Sequence, residues 1–346
     1  MKVLVTGGCG FLGSHVCEFY KKNGHEVIAF DSLTKHELKR TSYDVQAARS
    51  HVLNFLKGIN VSVIVGDIRN KEALFEASKD CDYIIHTAAQ PAMTISIEDP
   101  ELDLSTNVVG TFNVLEAARK KDIPMVACSS IHVYGDKIND TLIEGKTRFT
   151  RDPPTINERH PTLVGTVTPL HASKRTNEIY IQSYIDTYGL KVAAFRCTGM
   201  YGPRQFGAED HGWVANFAIK MMLKRPITIF GTGKQARDIL YATDAVNAFD
   251  AFYKAKVPGI YNIGGGLDRL ISLDESIELM KEITGNNVEV KYAPKRVGDL
   301  WYFASDITLA KKNLGWSPQV SNREGITRLL DWIGANIAIF KGAPSS

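Results

Sequence analysis

Short apolar runs alternate with stretches of helical spacing along the first 130 residues of the chain. The predicted strands cover residues 2–5, 26–30, 61–65, 83–86 and 125–128. Helical spacing separates them, as in residues 15–22 and 104–119. Continuous apolar strands between helices are typical of a sheet that is covered on both faces. We therefore predict an α/β fold built on a Rossmann-type, doubly wound parallel sheet.

Two stretches interrupt this alternation, and the pattern becomes irregular after residue 196. Residues 36–57 form a charged amphipathic insert between the second and third strands. Residues 136–168 are rich in proline, threonine and aspartate and predict a long loop, which is usually a functional feature. We expect a Rossmann domain interleaved with a smaller C-terminal lobe. The expected domain consists of residues 1–196, rejoined by about 236–262, and the lobe mainly of residues 197–235 and 263–346.

The charge balance and the cysteine pattern narrow the function classes. The 346 residues include 41 Lys and Arg against 38 Asp and Glu, and the net charge of +3 is too small and too evenly spread for a nucleic-acid-binding surface. No long apolar run and no basic, apolar leader are present, so we expect neither a membrane span nor a signal peptide. The cysteines lack CxxC spacing and the histidines lack HxxxH spacing, which predicts a cytoplasmic protein without a metal site.

A glycine cluster at residues 7–13 (GGCGFLG) follows the first strand directly and opens a helix. Its glycines permit a tight turn and close approach to a pyrophosphate, and the helix N-terminus adds amides and a positive dipole end. Asp31, at the end of the second strand, suits the adenosine ribose and repels a 2′-phosphate, which favours NAD over NADP. A glycine-rich structural turn is the alternative. The predicted cofactor contacts here are Gly7, Gly10, Phe11, Leu12, Gly13 and Asp31.

Two later strand ends continue the same predicted site. Asp67 and Ile68 close the third strand and would lie beside the adenine. Thr87, Ala88 and Ala89 follow the fourth strand, where small residues let the backbone pass close to the cofactor. Each segment alone could be a plain loop, but their order along the chain predicts one dinucleotide site.

Further motifs extend over nearly the whole chain. They lie at residues 107–111, 133–135, 196–205, 231–238, 262–264, 296–299 and 314–318. In this order the motifs resemble the extended short-chain dehydrogenase/reductase superfamily, in its nucleotide-sugar epimerase/dehydratase branch. Residues 200–206 (MYGPRQF) and 233–238 (GKQARD) look most like the CDP-paratose (tyvelose) 2-epimerase group.

The resemblance implies a mechanism and partners. Such enzymes hold NAD tightly, oxidise a carbon of a nucleotide-diphosphate sugar, let the keto sugar turn over and return the hydride to the opposite face. It also implies that Asn107 and Lys174 contact NAD. The helices at residues 104–119 and 171–188 resemble those that form a four-helix dimer contact, so a homodimer is expected.

One catalytic position departs from the family pattern. The resemblance implies a tyrosine, a lysine four residues later and a serine or threonine across the site; Lys174 and Ser130 match, but the tyrosine position is Leu170. Leucine cannot carry a proton. His132, two residues after Ser130, and His171, beside Leu170, are the candidates to replace the tyrosine. Each could equally be a structural contact, which leaves the proton carrier open.

The same resemblance places substrate contacts in the C-terminal lobe. Arg237, Arg296 and Asp299 match positions around the diphosphate and nucleoside, where the arginine fork binds phosphate oxygens. Residues of a segment distinctive of the 2-epimerase-like group are expected to shape the sugar pocket: Arg204, Gln205 and Trp213. Gly199 replaces a family asparagine, which removes one amide contact.

Two functions compete at this point. The leading prediction is an NAD-dependent nucleotide-sugar epimerase with an atypical site. The alternative is a non-catalytic NAD- and nucleotide-sugar-binding protein or sensor, which Leu170 keeps open. A 4,6-dehydratase is not expected, because the acidic pair of those enzymes is Ile131 and His132 here.

Overall fold

A parallel sheet of seven strands forms the centre of the computed structural model, which describes residues 1–34, 41 and 43–342. The strands along the chain are β1 (Lys2–Thr6), β2 (Glu26–Asp31), β3 (Ser62–Val65), β4 (Tyr83–His86), β5 (Met125–Ser130), β6 (Ile143–Glu144), β7 (Phe149–Thr150), β8 (Val192–Cys197), β9 (Met200–Tyr201), β10 (Ile227–Phe230), β11 (Ala236–Asp238), β12 (Leu240–Tyr241), β13 (Gly259–Ile263), β14 (Leu270–Ser272), β15 (Val290–Ala293) and β16 (Tyr302–Phe303). The α-helices are α1 (Phe11–Lys22), α2 (Val45–Gly58), α3 (Lys71–Ala77), α4 (Met93–Glu98), α5 (Pro100–Asp103), α6 (Gly110–Lys121), α7 (Pro169–Tyr188), α8 (Trp213–Met222), α9 (Ala242–Ala255), α10 (Leu273–Thr284), α11 (Thr308–Leu314), α12 (Asn322–Ala335) and α13 (Ile337–Phe340).

The central sheet has the strand order β3-β2-β1-β4-β5-β8-β13, and every neighbouring pair is parallel. Alternate residues of β1 enter two different hydrophobic cores: Val3 and Val5 pack on one face, Leu4 on the other. This two-sided burial explains the continuous apolar strands and confirms the predicted doubly wound sheet. The strand order reverses between β1 and β4, and ligands bind at such a switch point, outside the carboxyl ends of the strands.

Several predicted elements have different bounds in the structure. Helix α1 begins at Phe11 because Gly10 already adopts the extended N-cap conformation. The predicted helix at residues 104–119 begins with a π-helical stretch, Leu104–Val109, before α6. The long loop predicted after residue 135 contains a 3₁₀-helix, Asp136–Thr141, and the β6–β7 hairpin. Of the predicted insert 36–57, residues 36–40 and 42 lie outside the described residues, and α2 forms its second half.

Short sheets from the later part of the chain face the carboxyl edge of the central sheet. Strand β10 pairs with β15, β11 lies between β14 and β16, and β9 pairs with β12. Helix α9 packs against α1, and β13, which follows it, returns to the central sheet beside β8. Thr228 and Phe230 of β10 line the cavity at this edge of the sheet. No helix among the described residues combines the length and apolarity that a membrane crossing needs.

Candidate active site

A continuous cavity of about 780 Å³ lies at the carboxyl edge of the central sheet, between that edge and the later short sheets. Most of the predicted site residues line it. They are Gly7, Gly10, Phe11, Leu12, Asp31, Asp67, Ile68, Thr87, Ala88, Ala89, Ser130, His132, Lys174, Arg204, Gln205, Trp213, Arg237, Arg296 and Asp299. Gly13, Asn107 and His171 lie outside its lining. One space therefore connects the predicted cofactor residues with the predicted substrate residues.

The glycine turn has no room for side chains. Gly7 has a φ of 70°, and a Cβ there would lie 2.6 Å from the backbone nitrogen of Ala88. A Cβ on Gly13 would lie 2.1 Å from the carbonyl oxygen of Gly7, so Gly13 supports the turn from behind rather than lining the cavity. Helix α1 begins at Phe11 on the cavity wall. This cradle fits a dinucleotide pyrophosphate, which needs close backbone approach and a helix N-terminus.

Two aspartates, Asp31 and Asp67, line the cavity together with the glycine turn. The Asp31 carboxylate accepts hydrogen bonds from the amides of Cys9 at 2.9 Å and Leu33 at 2.7 Å, which fixes it at the end of β2. A carboxylate held there fits the ribose of NAD. Asp67 forms a 2.6 Å ion pair with Arg69, whose hydrogen bonds lower the pKa of Asp67. Arg69 also lines the cavity and was not predicted.

Asn107 is placed differently from its prediction as a cofactor contact. Its amide side chain accepts a hydrogen bond from Gln90 N at 2.8 Å and donates one to Gln90 O at 3.0 Å. It also donates to Asp103 Oδ1 at 2.9 Å. Asn107 therefore holds the segment that follows β4 from behind the cavity wall, and its own polar atoms are occupied by protein groups.

The serine, leucine and lysine of the catalytic pattern all line this one cavity. Helix α7 begins at Pro169, which puts Leu170 and Lys174 one turn apart on the same face. Lys174 Nζ donates to the carbonyl oxygen of Cys128 at 3.1 Å, and burial lowers the pKa of Lys174. The Leu170 side chain is buried in the cavity wall and offers no polar atom.

His132 and His171 form a stacked pair beside these residues. Their ring centroids lie 5.5 Å apart and the ring planes differ by 23°. Within the described part of the chain, His132 Nδ1 and His171 Nε2 are buried without a hydrogen-bond partner. Burial, assisted by the nearby His171 and Arg237, lowers the pKa of His132 to about 3. At neutral pH the His132 ring is therefore uncharged, and in the protein without ligands it is a weaker proton acceptor than a free imidazole.

The two histidines differ in access to the cavity. His132 lies in a 3₁₀ turn, Ile131–Tyr134, and lines the cavity. Its backbone amide donates to Ser130 Oγ at 3.2 Å. His171 is fully buried, and its Nδ1 accepts a hydrogen bond from the amide of Thr168 at 3.1 Å. His132 faces the cavity and His171 supports it from behind.

Arginines and an aromatic ring surround the far end of the cavity. Arg237 forms a 3.2 Å ion pair with Asp299. The Arg296 guanidinium lies 3.8 Å above the Phe230 ring and donates to the carbonyl oxygen of Glu209 at 2.7 Å. Burial lowers the pKa of both arginines from a very high ordinary value, so both remain cations. This end can bind a diphosphate and a flat base.

Arg204 lines the cavity, but its guanidinium is bound elsewhere. It donates to Ser14 Oγ at 3.0 Å and to Glu18 Oε2 at 2.6 Å, both on α1, and lies 4.2 Å above the Phe55 ring of α2. The charged group of Arg204 therefore joins α1 and α2, and its role in the sugar pocket stays a prediction.

Four further residues complete the wall. The neighbouring Gln205 donates to Met200 O at 3.1 Å, and its buried Oε1 has no partner among the described residues. The Trp213 indole nitrogen lies 3.5 Å from where a Cβ of Gly199 would be, so the tryptophan borders the space that the missing family asparagine leaves. Cys128 and Cys197 also line the cavity, although their single spacing gave no sign of it.

Comparison with known proteins agrees with this geometry. Residues 3–264 match the NAD dependent epimerase/dehydratase family. CDP-paratose 2-epimerase of Salmonella typhi is 34% identical, over 96% of this chain and 99% of that protein. The structure of Thermotoga maritima UDP-glucose 4-epimerase with UDP-glucose aligns over 97% of this chain and 100% of the other, with a TM-score of 0.80 and 29% identity.

A second solved structure contains the cofactor. The UDP-glucose 4-epimerase of Thermus thermophilus, in complex with NAD, aligns over 97% of this chain and 100% of its own, with a TM-score of 0.79 and 32% identity. The cradle at Gly7 and Asp31 fits the same cofactor. The chain belongs to the NAD-dependent epimerase/dehydratase family.

Proposed function

We propose that this protein is a nucleotide-sugar epimerase that uses NAD to oxidise one sugar hydroxyl and then reduces the resulting ketone on the opposite face. The continuous cavity carries the proposal, because it joins the dinucleotide cradle at Gly7 and Asp31 to the arginines Arg237 and Arg296. A substrate with a diphosphate at the arginines would reach the middle of the cavity with its sugar. The relatives named above are epimerases of CDP- and UDP-linked sugars, which supports this substrate class.

The residues at the middle of the cavity have separate roles in this proposal. Bound NAD supplies the acceptor and donor of hydride. The Lys174 ammonium holds the cofactor and makes the middle of the cavity positive, while Ser130 hydrogen-bonds the reacting hydroxyl. Leu170 only excludes water. A proton must still leave the sugar hydroxyl when its carbon is oxidised and return when it is reduced.

His132 is the proton carrier in this proposal. His132 lines the cavity, its buried Nδ1 lacks a partner among the described residues, and its ring is uncharged at neutral pH. The stacked His171 positions the ring from behind. A diphosphate bound at Arg237 would offset one of the charges that lower the pKa of His132. Substrate binding should therefore raise this pKa and make the imidazole a stronger base.

The decisive experiment mixes purified protein, without added cofactor, with CDP-, UDP-, GDP- and dTDP-hexoses and follows the sugar by NMR. We expect a new epimer from at least one of them. His132→Gln should lower kcat by about 10²–10⁴-fold, the usual contribution of a general base, with a smaller effect on KM. His171→Gln is the matched control at the stacked partner and should cost less. Leu170→Tyr in the His132→Gln background should restore part of the rate.

A second measurement tests the proton carrier without turnover. The ring signals of His132, assigned with the His132→Gln variant, should titrate at a higher pH when the nucleotide diphosphate is bound. If an epimer forms but His132→Gln retains the full rate, His132 is not the carrier and the epimerase proposal stands.

The non-catalytic alternative predicts a different result, and the apolar Leu170 favours it. In that case NAD-loaded protein yields no new sugar from any member of the panel, whereas Leu170→Tyr alone gains activity. That outcome would overturn the epimerase proposal and leave a sugar-nucleotide-binding protein on the same scaffold.

We also propose that the enzyme is a cytoplasmic homodimer. The π-helical stretch and α7 pack together and leave apolar side chains exposed, with Leu104 and Ile179 each more than half exposed. A second copy of this chain would cover them if the four helices met across a two-fold axis. None of the five cysteines, all within the described part of the chain, forms a disulfide, which suits a reducing compartment.

A further inference from the structure

Gly199 lacks a side chain although neither its backbone nor its packing requires a glycine. Among the 28 glycines, which all lie in the described part of the chain, only Gly58 and Gly199 have neither a positive φ nor a Cβ position within 3.4 Å of an atom elsewhere in the fold. Gly58 is the exposed last residue of α2. Gly199 lines the active-site cavity, so its missing side chain leaves space for a ligand.

A side chain at residue 199 would enter open space at the cavity wall. Its Cβ would lie 3.5 Å from Trp213 Nε1 and 3.8 Å from Ile239 Cγ2, and these are the only described atoms within 4 Å outside the adjoining residues. Both distances are ordinary van der Waals contacts. We call the space beside Gly199 that Trp213 and Ile239 border the Gly199 gap.

Regular elements hold the walls of the Gly199 gap. The carbonyl oxygen of Gly199 accepts a hydrogen bond from Leu240 N at 3.1 Å, where β9 and β12 pair. Trp213 begins α8, and its ring packs edge-to-face against Phe217 with ring centroids 5.6 Å apart. The gap is therefore formed by the fold before any ligand binds.

The gap adjoins the segments that carry the expected hydroxyl and diphosphate contacts. Cys197, two residues before Gly199, is the register partner of Ser130 in the β5–β8 pair. On the other side, Ile239 follows Arg237 by two residues. The same cavity is lined by Ser130, Gly199 and Arg237. A sugar that reacts at Ser130, with its diphosphate at Arg237, would therefore lie beside the gap.

We propose that the Gly199 gap is a sugar subsite that takes a hydroxyl or hydroxymethyl group of the nucleotide-linked sugar, with the Trp213 N–H as the donor to its oxygen. An indole N–H can only donate a hydrogen bond, so an oxygen substituent matches it and a methyl group does not. A site built to hydrogen-bond a hydroxyl rejects an analogue that lacks it, because the polar group of the site stays unpaired. The inference rests on the proposed function and makes Gly199 and Trp213 determinants of sugar specificity.

Asparagine at residue 199 separates this role from a simple loss of contact. If the glycine only removes an amide that would bind the sugar nucleotide, Gly199→Asn should strengthen binding. If the gap holds a sugar substituent, the carboxamide takes its place, and Gly199→Asn should weaken binding of the sugar nucleotide. The nucleoside diphosphate without the sugar should bind as before in the second case.

Isothermal titration calorimetry of the purified, NAD-loaded protein measures both ligands. The probes are the member of the CDP-, UDP-, GDP- and dTDP-hexose panel that the parent binds most tightly and the corresponding nucleoside diphosphate. We expect Gly199→Asn to raise the Kd of the hexose conjugate about tenfold or more and to leave the Kd of the diphosphate unchanged. Gly58→Asn, the matched control, adds the same side chain at the other unconstrained glycine and should change neither Kd.

Trp213→Phe tests the hydrogen-bond donor without filling the gap, and it decides the matter alone if Gly199→Asn does not fold. It should raise the Kd of the hexose conjugate about 2–10-fold. In the Gly199→Asn background it should have no further effect, because the gap then holds no sugar group.

Two kinds of failure are distinguishable. A Gly199→Asn protein that binds the hexose conjugate as tightly as the parent or more tightly, or a Trp213→Phe protein with the parent's Kd, would overturn the subsite, while an epimer formed by the parent would leave the proposed function in place. A parent protein that binds no hexose conjugate and forms no epimer would overturn both.

Discussion

Gly7 and Gly24 have nearly the same backbone conformation, with φ values of 70° and 78°, but very different surroundings. A Cβ on Gly7 would meet the Ala88 nitrogen at 2.6 Å, whereas a Cβ on Gly24 would meet no atom within 4 Å. The left-handed conformation alone costs alanine about 1–2 kcal/mol. At Gly7 the close contact adds about 1–3 kcal/mol and blocks the predicted cofactor cradle.

We therefore expect Gly7→Ala to be the more damaging of the two substitutions. Its free energy of unfolding, measured by urea denaturation, should fall further than that of Gly24→Ala, and the purified protein should lose its bound NAD. Gly24→Ala, the matched control for backbone strain, should keep the cofactor. If both variants lost the same free energy of unfolding and both lost NAD, the backbone at Gly7 would not pack closely against Ala88.

Individual residues also show which parts of the site could be predicted from the sequence and which could not. Gly7 follows β1 directly and Asp31 ends β2. Because both residues act through the local backbone, these positions were sufficient to predict them as cofactor contacts. The guanidinium of Arg204 is bound by residues nearly two hundred positions earlier, and no local pattern indicates which way such a side chain turns. The stacking of His132 on His171 likewise needs the tertiary fold, although both residues were candidates one at a time.

Among the secondary-structure elements, the strands were predicted best where their residues were purely apolar. Strand β8 contains Arg196, which is buried in a 2.8 Å ion pair with Glu178 of α7, and β13 contains the buried Asn262, which accepts a hydrogen bond from Tyr134. Polar residues that are satisfied by partners distant in sequence interrupt the apolar pattern. The regular pattern was therefore lost near residue 196, although the central sheet gains one more strand, β13, after β8.

The exposed apolar side chains of the π-helical stretch and α7 allow a test of the proposed homodimer. Replacing Leu104 and Ile179 together by glutamate should convert the proposed dimer into a monomer in sedimentation velocity, because charges would be buried at the interface. Both side chains are largely exposed in a single chain, so the thermal stability of the monomer should change little. Val297→Glu, at a residue equally exposed but beside the cavity, is the control. A wild-type protein that sediments as a monomer would contradict the dimer.

Three histidines with strongly lowered pKa values contribute to the way the whole molecule responds to acid. Burial lowers the pKa of His15, His86 and His132 to about 3. Unfolding restores an ordinary value near 6.5, so the unfolded chain binds protons that the folded chain excludes. Their contribution to stability is complete above about pH 6.5 and is lost as the pH falls towards 3. Asp238 acts in the opposite sense, because burial raises its pKa to about 6 and the folded state retains that proton.

His86 is the best of these histidines for a test of the acid response, because both of its ring nitrogens are hydrogen-bonded. Its Nδ1 lies 2.6 Å from Thr6 Oγ1, and its Nε2 lies 2.9 Å from Thr111 Oγ1. The parent's free energy of unfolding should fall between pH 6 and pH 4, and each buried histidine should contribute about 1 kcal/mol per pH unit. His86→Gln should be less stable at pH 7 but should lose stability less steeply on acidification, since one excluded proton is removed. Urea denaturation at several pH values measures this slope, with His25→Gln at a partly exposed turn as the matched variant. A slope in His86→Gln as steep as in the parent would show that proton exclusion at His86 does not contribute to the acid sensitivity of the fold.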